Sequence, residues 1–318
     1  MKAVVFTKYG SPDGLRLTEV ENPAPLGDEL LVKVVATAVN QADHHVLSGS
    51  LRFSTGLFWP RQPILGSDVA GIVAAIGPDV SQFQVGDAVF GDLSGHGRGG
   101  FAEFVTAPED AWALKPGTLS FAEAAAVPMT AVTALQGLRD YGQLQPGERV
   151  LINGASGGVG TFAVQIAKVL GGVVTAVASG RKLNRVQAIG ADHLIDYTQE
   201  DFTENGQPYD LIFDTVGNRA VAAYERALAP GGRFVTTAFL PGLLLRGWWP
   251  VHRAGQKMVN MMAHPAREDL MFLAKLLASG QIQPVVDRCF PLAEVPDALR
   301  YLGNGQATGK VVVRVPAV

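Results

Sequence analysis

The chain has 318 residues, 47% of them hydrophobic and 17% charged, with a formal net charge of −3. That length allows two domains with cores of their own. The slightly acidic balance, without a basic stripe, speaks against nucleic-acid partners, and no apolar run nears the length of a membrane span. The single cysteine, Cys289, excludes an internal disulfide and any multi-cysteine zinc site. Met1 to Phe6 opens directly in a strand-like pattern with no signal-peptide character, so a non-secreted, cytoplasmic protein is expected.

From Met1 to about Ala107, short β-prone runs alternate with turns. The clearest strands are 3–6, 29–36, 69–76 and 87–91, separated by Ser11-Pro12-Asp13-Gly14, Pro23-Ala24-Pro25-Leu26-Gly27 and Gly77-Pro78-Asp79-Val80. This punctuation predicts a small β-barrel-like domain. Ser94 to Gly100 reads as a mobile glycine-rich loop at a cleft, not a phosphate loop, because no helix follows it.

Around Ser120 the pattern changes. Phe121 to Ala126 and Met129 to Leu138 read as helices, with Ser120 and Glu123 as a capping box. There follow a strand (149–153), a helix (160–170), a strand (173–178), a helix (181–189) and strands at 193–195 and 210–214. A helix (219–228) and strands at 233–237 and 257–261 complete the alternation. Such alternation predicts a parallel, doubly wound sheet. Phe239 to Ala254, apolar but broken by Pro241, Gly242, Gly247 and Pro250, reads as a loop lining an apolar pocket or a subunit contact. A helix (269–278) and strands at 285–287 and 310–315 return to the first domain. The expected boundaries are therefore 1–123 and 265–318 for a discontinuous first domain, and 124–264 for the α/β domain.

The α/β domain starts on a strand, Arg149 to Asn153, that feeds Gly154-Ala155-Ser156-Gly157-Gly158-Val159-Gly160 and then an apolar segment of helical length. Glycines three apart let the backbone turn tightly and let a pyrophosphate approach the unpaired N–H groups of the helix start. The turn points to a dinucleotide. In such folds the next strand commonly ends in a carboxylate that binds the ribose 2′-hydroxyl; here Val173 to Ala178 is followed by Ser179-Gly180-Arg181-Lys182. Two cations and a hydroxyl suit a 2′-phosphate, so NADPH is favoured over NADH.

Taken together, Ala38-Val39-Asn40-Gln41-Ala42-Asp43, Pro63 to Gly71, Val85 to Val89, the glycine turn, Leu194-Ile195-Asp196-Tyr197, Phe213 to Gly217 and Ala307-Thr308-Gly309-Lys310-Val311 are specific in order and spacing. In these motifs the chain resembles the medium-chain dehydrogenase/reductase superfamily, in its zinc-independent quinone oxidoreductase and enone reductase branch. The resemblance implies a Rossmann domain inserted into a GroES-like catalytic domain. Zinc-dependent relatives carry a cysteine near the position of Asn40 and a His-Glu pair after a glycine like Gly66; this chain has Asn40 and Ser67-Asp68. No metal is therefore expected. His44 and His45, adjacent in sequence, cannot easily face one ion together with Asp43 and Asp68.

The resemblance further implies hydride transfer from NADPH to a quinone or to the C=C bond of an enone, in a dry slot with donors aimed at the developing oxyanion. Water can protonate the α-carbon. Asn40 is placed near nicotinamide and substrate, against the alternative of a loop cap. Asp43 organises its loop, and Met129 and Thr133 lie beside the nicotinamide, against the alternative of helix packing. Tyr197 belongs to the adenosine end, and Thr215, Val216, Ala238 and Phe239 lie under the cofactor. Thr308, Gly309 and Lys310 close near the nicotinamide. Phe53, Phe58, Trp59 and Trp248-Trp249 suggest an apolar substrate pocket, and the strand at 257–260 implies a homodimer. Competing readings are a zinc-less alcohol or aldehyde dehydrogenase, a non-catalytic NADPH-binding sensor or structural protein, and an enoyl-reductase module of a larger synthase.

Overall fold

The computed structural model describes residues 1–246 and 255–316. The first strands are β1 (Lys2–Val5), β2 (Arg16–Glu19) and β3 (Glu29–Val39), followed by helices α1 (Gln41–Leu47) and α2 (Arg52–Thr55). Strands β4 (Asp68–Ile76), β5 (Ala88–Asp92), β6 (Phe104–Pro108) and β7 (Trp112–Leu114) come next, then α3 (Phe121–Ala125) and α4 (Pro128–Gln136). The middle of the chain runs β8 (Arg149–Asn153), α5 (Gly158–Val169), β9 (Val173–Ala178), α6 (Gly180–Ala188), β10 (His193–Asp196) and β11 (Tyr209–Asp214). It continues through α7 (Val221–Ala227), β12 (Leu228–Thr236), α8 (Pro241–Arg246) and β13 (Lys257–Asn260). Helix α9 (Arg267–Ala278), β14 (Val286–Pro291), α10 (Val295–Gly303) and β15 (Lys310–Arg314) close it.

Two compact units result. The first comprises Met1–Met129, Pro265–Gly280 and Pro284–Val318; the second comprises Thr130–His264 and Gln281–Gln283.

In the first unit a seven-stranded sheet runs β14-β15-β3-β4-β5-β7, with β6 also paired to β3. Strand β3 buries every second side chain over its first half, as a strand with one face on a core must. Val32, Val69, Phe101, Trp112, Leu299 and Val313 belong to one core cluster, so residues from both chain ends share it. The return segment is tied in by β15, which runs antiparallel to β3 with Val311 opposite Val39.

In the second unit six parallel strands lie in the order β10-β9-β8-β11-β12-β13. Counted within the unit this is 3-2-1-4-5-6, the doubly wound order of dinucleotide-binding folds, with its switch point between β8 and β11. The alternation in sequence gives this sheet because each helix must carry the chain back to start the next parallel strand.

The pattern predicts a loop at Phe239 to Ala254, and there the structure departs from it: α8 forms within that segment over Pro241–Arg246. Pro241 stands at the helix start, where its missing N–H costs nothing. Trp248, Trp249 and the rest of 247–254 lie outside the described residues.

Candidate active site

The ends of β3, β4, β5 and β15 bring four polar side chains together in the first unit. Asp68 lies opposite Ala38 on β3 and opposite Asp92 on β5. Lys310 Nζ donates to Asn40 Oδ1 at 2.6 Å and to Asp68 Oδ2 at 2.9 Å. Asn40 Nδ2 donates to the same Asp68 oxygen at 3.0 Å, and Met129 N donates to Asp68 Oδ1 at 2.7 Å. Asn40, Asp68 and Lys310 are 5%, 0% and 3% exposed, so this ion pair is sealed from water.

Asp43 stands behind it in the first turn of α1. Its Oδ2 accepts from Asn40 N at 2.8 Å and its Oδ1 from Gly66 N at 3.2 Å, joining the helix start to the segment before β4. Burial pushes its carboxyl up to about 6, against those two backbone N–H groups. Asp92 is also pushed up to about 6, by burial and then by the neighbouring charge of Asp68; its Oδ1 accepts from Ser94 N at 2.8 Å. His44 Nε2 lies 2.7 Å from Leu299 O and is spent on α10, while His45 is exposed.

The second unit gathers another set at the C-terminal ends of its strands. Gly154 has φ +84°, and a Cβ there would lie 2.3 Å from Thr215 Oγ1 and 2.7 Å from Val216 Cγ2. A Cβ on Gly160 would meet Gly154 O at 2.1 Å, so α5 packs directly against the turn. Gly157 is the N-cap of α5, and a Cβ there meets nothing nearer than Gly154 O at 3.5 Å, which leaves the helix start open. Open N–H groups on a twelve-residue helix, in a turn only glycine can make, fit a pyrophosphate.

Ala155 and Ser156 are buried in that turn, Val159 is half-buried, and Thr215 Oγ1 donates to Asn153 O at 3.0 Å. Val216 and Phe239 are exposed, and Ala238 N donates to Thr236 Oγ1 at 3.0 Å. Ser179 caps α6, with Arg181 exposed and Lys182 half-buried in its first turn; Tyr197 is exposed just after β10. Thr133 is buried on α4. Thr308 is buried in the first unit beside Gly309, whose φ of +89° and close approach to Val285 O leave no room for a Cβ. Phe53, Phe58 and Trp59 are exposed.

Two features escape sequence reasoning. Asp214 is fully buried and accepts from Asn153 Nδ2 at 2.7 Å, Thr236 Oγ1 at 2.7 Å, Tyr224 OH at 3.2 Å and Gly217 N at 3.0 Å. It thereby clamps the ends of β8, β11 and β12; the signal was Asn153 and Asp214 ending strands that pair in register. Burial, then the Asp214 charge, raises the Tyr224 hydroxyl above its ordinary range. The other is Asp196. No carboxylate follows β9, yet the Asp196 carboxylate from β10 reaches the start of α6, close enough that a Cβ on Gly180 would sit 2.4 Å from its Oδ2. Its Oδ1 is taken by Thr198 N and Oγ1, and a backbone bond from Gly180 further lowers its pKa. It supplies the negative charge that Arg181 and Lys182 deny this helix start.

Comparison with known proteins accords with both units. Residues 27–117 match the family described as alcohol dehydrogenase GroES-like domain, and residues 189–313 the one described as zinc-binding dehydrogenase. A 2-methylene-furan-3-one reductase of Solanum lycopersicum is 37% identical over 98% of this chain and 79% of its own length. The chain belongs to the medium-chain dehydrogenase/reductase superfamily, in its quinone oxidoreductase branch. Within that superfamily, a chloroplastic NADPH-dependent alkenal/one oxidoreductase of Arabidopsis thaliana is 33% identical over 98% of this chain and 79% of the relative. A solved quinone oxidoreductase from Coxiella burnetii superposes with a TM-score of 0.90 at 30% identity, covering 99% of each chain.

The zinc in one family's description can be tested against the donors present. At Asn40, Ser67 and Asp68 there is no thiolate or imidazole, and the one carboxylate is saturated by an ammonium, an amide and a backbone N–H. A divalent ion there would face Lys310 Nζ. These residues do not fit zinc.

Proposed function

We propose that the chain is an NADPH-dependent oxidoreductase that reduces quinones or the C=C bond of α,β-unsaturated carbonyls without a metal. The Asn40–Asp68–Lys310 cluster carries this reading, because it puts a fixed internal cation where metal-dependent relatives need ligands. The names of the relatives, a furanone reductase and an alkenal/one oxidoreductase, support the same chemistry.

Gly157, Gly158 and Gly160 with the start of α5 would hold the pyrophosphate. Ser179, Arg181, Lys182 and Tyr197 take the adenosine end with its 2′-phosphate, and Thr133, Thr215, Val216, Ala238 and Phe239 line the nicotinamide half. When bound, NADPH supplies a hydride for the β-carbon of the acceptor. Lys310 fixes the Asn40 amide by occupying its oxygen. Asn40 Nδ2 then makes one strong bond, to Asp68, and only a 3.5 Å contact with Ala38 O. Its second amide proton is the donor for the oxygen on which negative charge develops. Asp43 holds the backbone of Asn40 in place from α1. Protonation of the α-carbon is left to water.

Two further readings belong here. The strand β13 lies at an edge of its sheet, and we place a homodimer contact there. No helix among the described residues is long and apolar enough to cross a membrane, and we read the protein as cytoplasmic.

The test is consumption of NADPH with a panel of enones and quinones. Turnover is expected with at least one acceptor, and Arg181→Ala with Lys182→Ala should weaken NADPH by tenfold or more while leaving NADH nearly unchanged. Tight NADPH binding with no turnover on any acceptor, or equal losses for both nucleotides, contradicts the reading.

A further inference from the structure

Beside α1, in the first unit, lies a cavity of about 200 Å³ whose lining includes the apolar Val46 and Leu65 and the polar Ser54, Arg61, Gln62 and Arg98. Its volume is several times the roughly 30 Å³ share of one water molecule, enough for a carboxylate on a short alkyl stem. No carboxylate of the protein lines it.

Arg98 is held there at a cost. Its φ is +67°, a conformation that only one other described non-glycine residue, Gln143, adopts. Glycines flank it at 97 and 99, each itself at positive φ, so the segment is rich in residues better suited to that backbone. The loop is anchored, because Arg98 N donates to Leu93 O at 3.0 Å and Gly100 N donates to Gly66 O at 2.9 Å. Yet Arg98 Nε is shielded from solvent and has no hydrogen-bond acceptor. An unpaired, desolvated N–H is costly, and because water cannot reach Nε, it is the rest of the half-buried guanidinium that is left to meet an anion in the cavity. The nearby Asp43 does not serve: its hydrogen bonds come from Asn40 N and Gly66 N, and Arg98 acts on it only as a charge. It offers only a charge at a distance, which makes Arg98 tolerable without satisfying it.

We propose that this cavity is a carboxylate subsite, in which Arg98 and Arg61 take the acid group of an enone or quinone that carries one. The proposal names a substrate class and rests on the reductase reading above. The apolar wall at Val46 and Leu65 accommodates the stem, and Leu65 directly precedes Gly66, whose N–H holds Asp43 in the Asn40 cluster.

The test compares 4-oxopent-2-enoate with its methyl ester as acceptors for NADPH oxidation, and follows binding of the saturated acid levulinate to the protein loaded with NADP⁺. Arg98→Gly removes the guanidinium and suits the local backbone, so its thermal midpoint should not fall; Arg61→Met is the second variant. The acid-to-ester ratio of kcat/KM should drop about tenfold in each, and levulinate should bind about tenfold more weakly to Arg98→Gly. An unchanged ratio in both variants overturns the subsite while leaving the reductase reading intact. Levulinate binding that Arg98→Gly abolishes upholds the subsite even where neither acceptor is reduced; the reductase reading then falls only if the wider panel of enones and quinones also gives no turnover.

Discussion

At Asp68 a carboxylate sealed from water meets an ammonium, an amide and a backbone N–H, and each partner comes from a different part of the chain. Removing one side of such a pair leaves a buried charge uncompensated, which costs about 3–5 kcal/mol, whereas removing both costs far less. Lys310→Met should therefore destabilise the protein by about that amount in urea unfolding, and Lys310→Met with Asp68→Asn should recover most of the loss. A single variant as stable as wild type contradicts the pairing. Asp92 makes a pH-dependent prediction. Its folded pKa, about 6, lies above the ordinary carboxylate value of 3.8, so between those two pH values the folded chain keeps a proton that the unfolded chain has released. Its contribution to stability is whole below about pH 4 and is lost as pH rises through 6. The stability of Asp92→Asn relative to wild type should thus rise between pH 4 and pH 7. A flat difference across that range refutes the shift. In the sequence Lys310 read as one of several cofactor-proximal positions, but its pairing with Asn40, 270 residues away, depends on a strand register invisible to local pattern.

At the scale of elements, regular alternation and the Ser120–Glu123 capping box before α3 were legible, and helices α1 and α10 were not. Strands β8, β9 and β11 and helix α5 follow the apolar runs closely, since parallel strands buried on both faces read as short continuous apolar stretches. Helix α1 did not stand out. It has seven residues, and its signal was the pair Asn40 and Asp43, which reads equally well as a loop cap. Helix α10 begins at Val295 with Pro296 in its first turn, a start signal without a long periodic stretch behind it. The Asp214 clamp was illegible for the same reason as Lys310, since it depends on three strands lying side by side. The edge strand β13 carries its own prediction. Among the described residues its outer edge has no partner strand, and such an edge invites a second copy that extends the sheet across the contact. Light scattering should give twice the mass of one chain at micromolar concentration; a single-chain mass removes the dimer.

At the scale of the molecule, the sequence pattern divides where strands give way to βα alternation, and two late strands carry the expected return of 265–318 to the first domain. What composition and periodicity could not supply was the chemistry, because the glycine turn says only dinucleotide. The choice of a metal-free reductase is a proposal that rests instead on Asn40, Asp68 and Lys310, whose mutual bonds hold a cation where ligands would be needed. One measurement addresses that choice: kcat/KM for an enone or quinone with NADPH, taken before and after exhaustive treatment with a strong chelator and removal of released metal. The account predicts turnover that chelation leaves unchanged and zinc does not enhance. Activity lost on chelation and restored by zinc would contradict it.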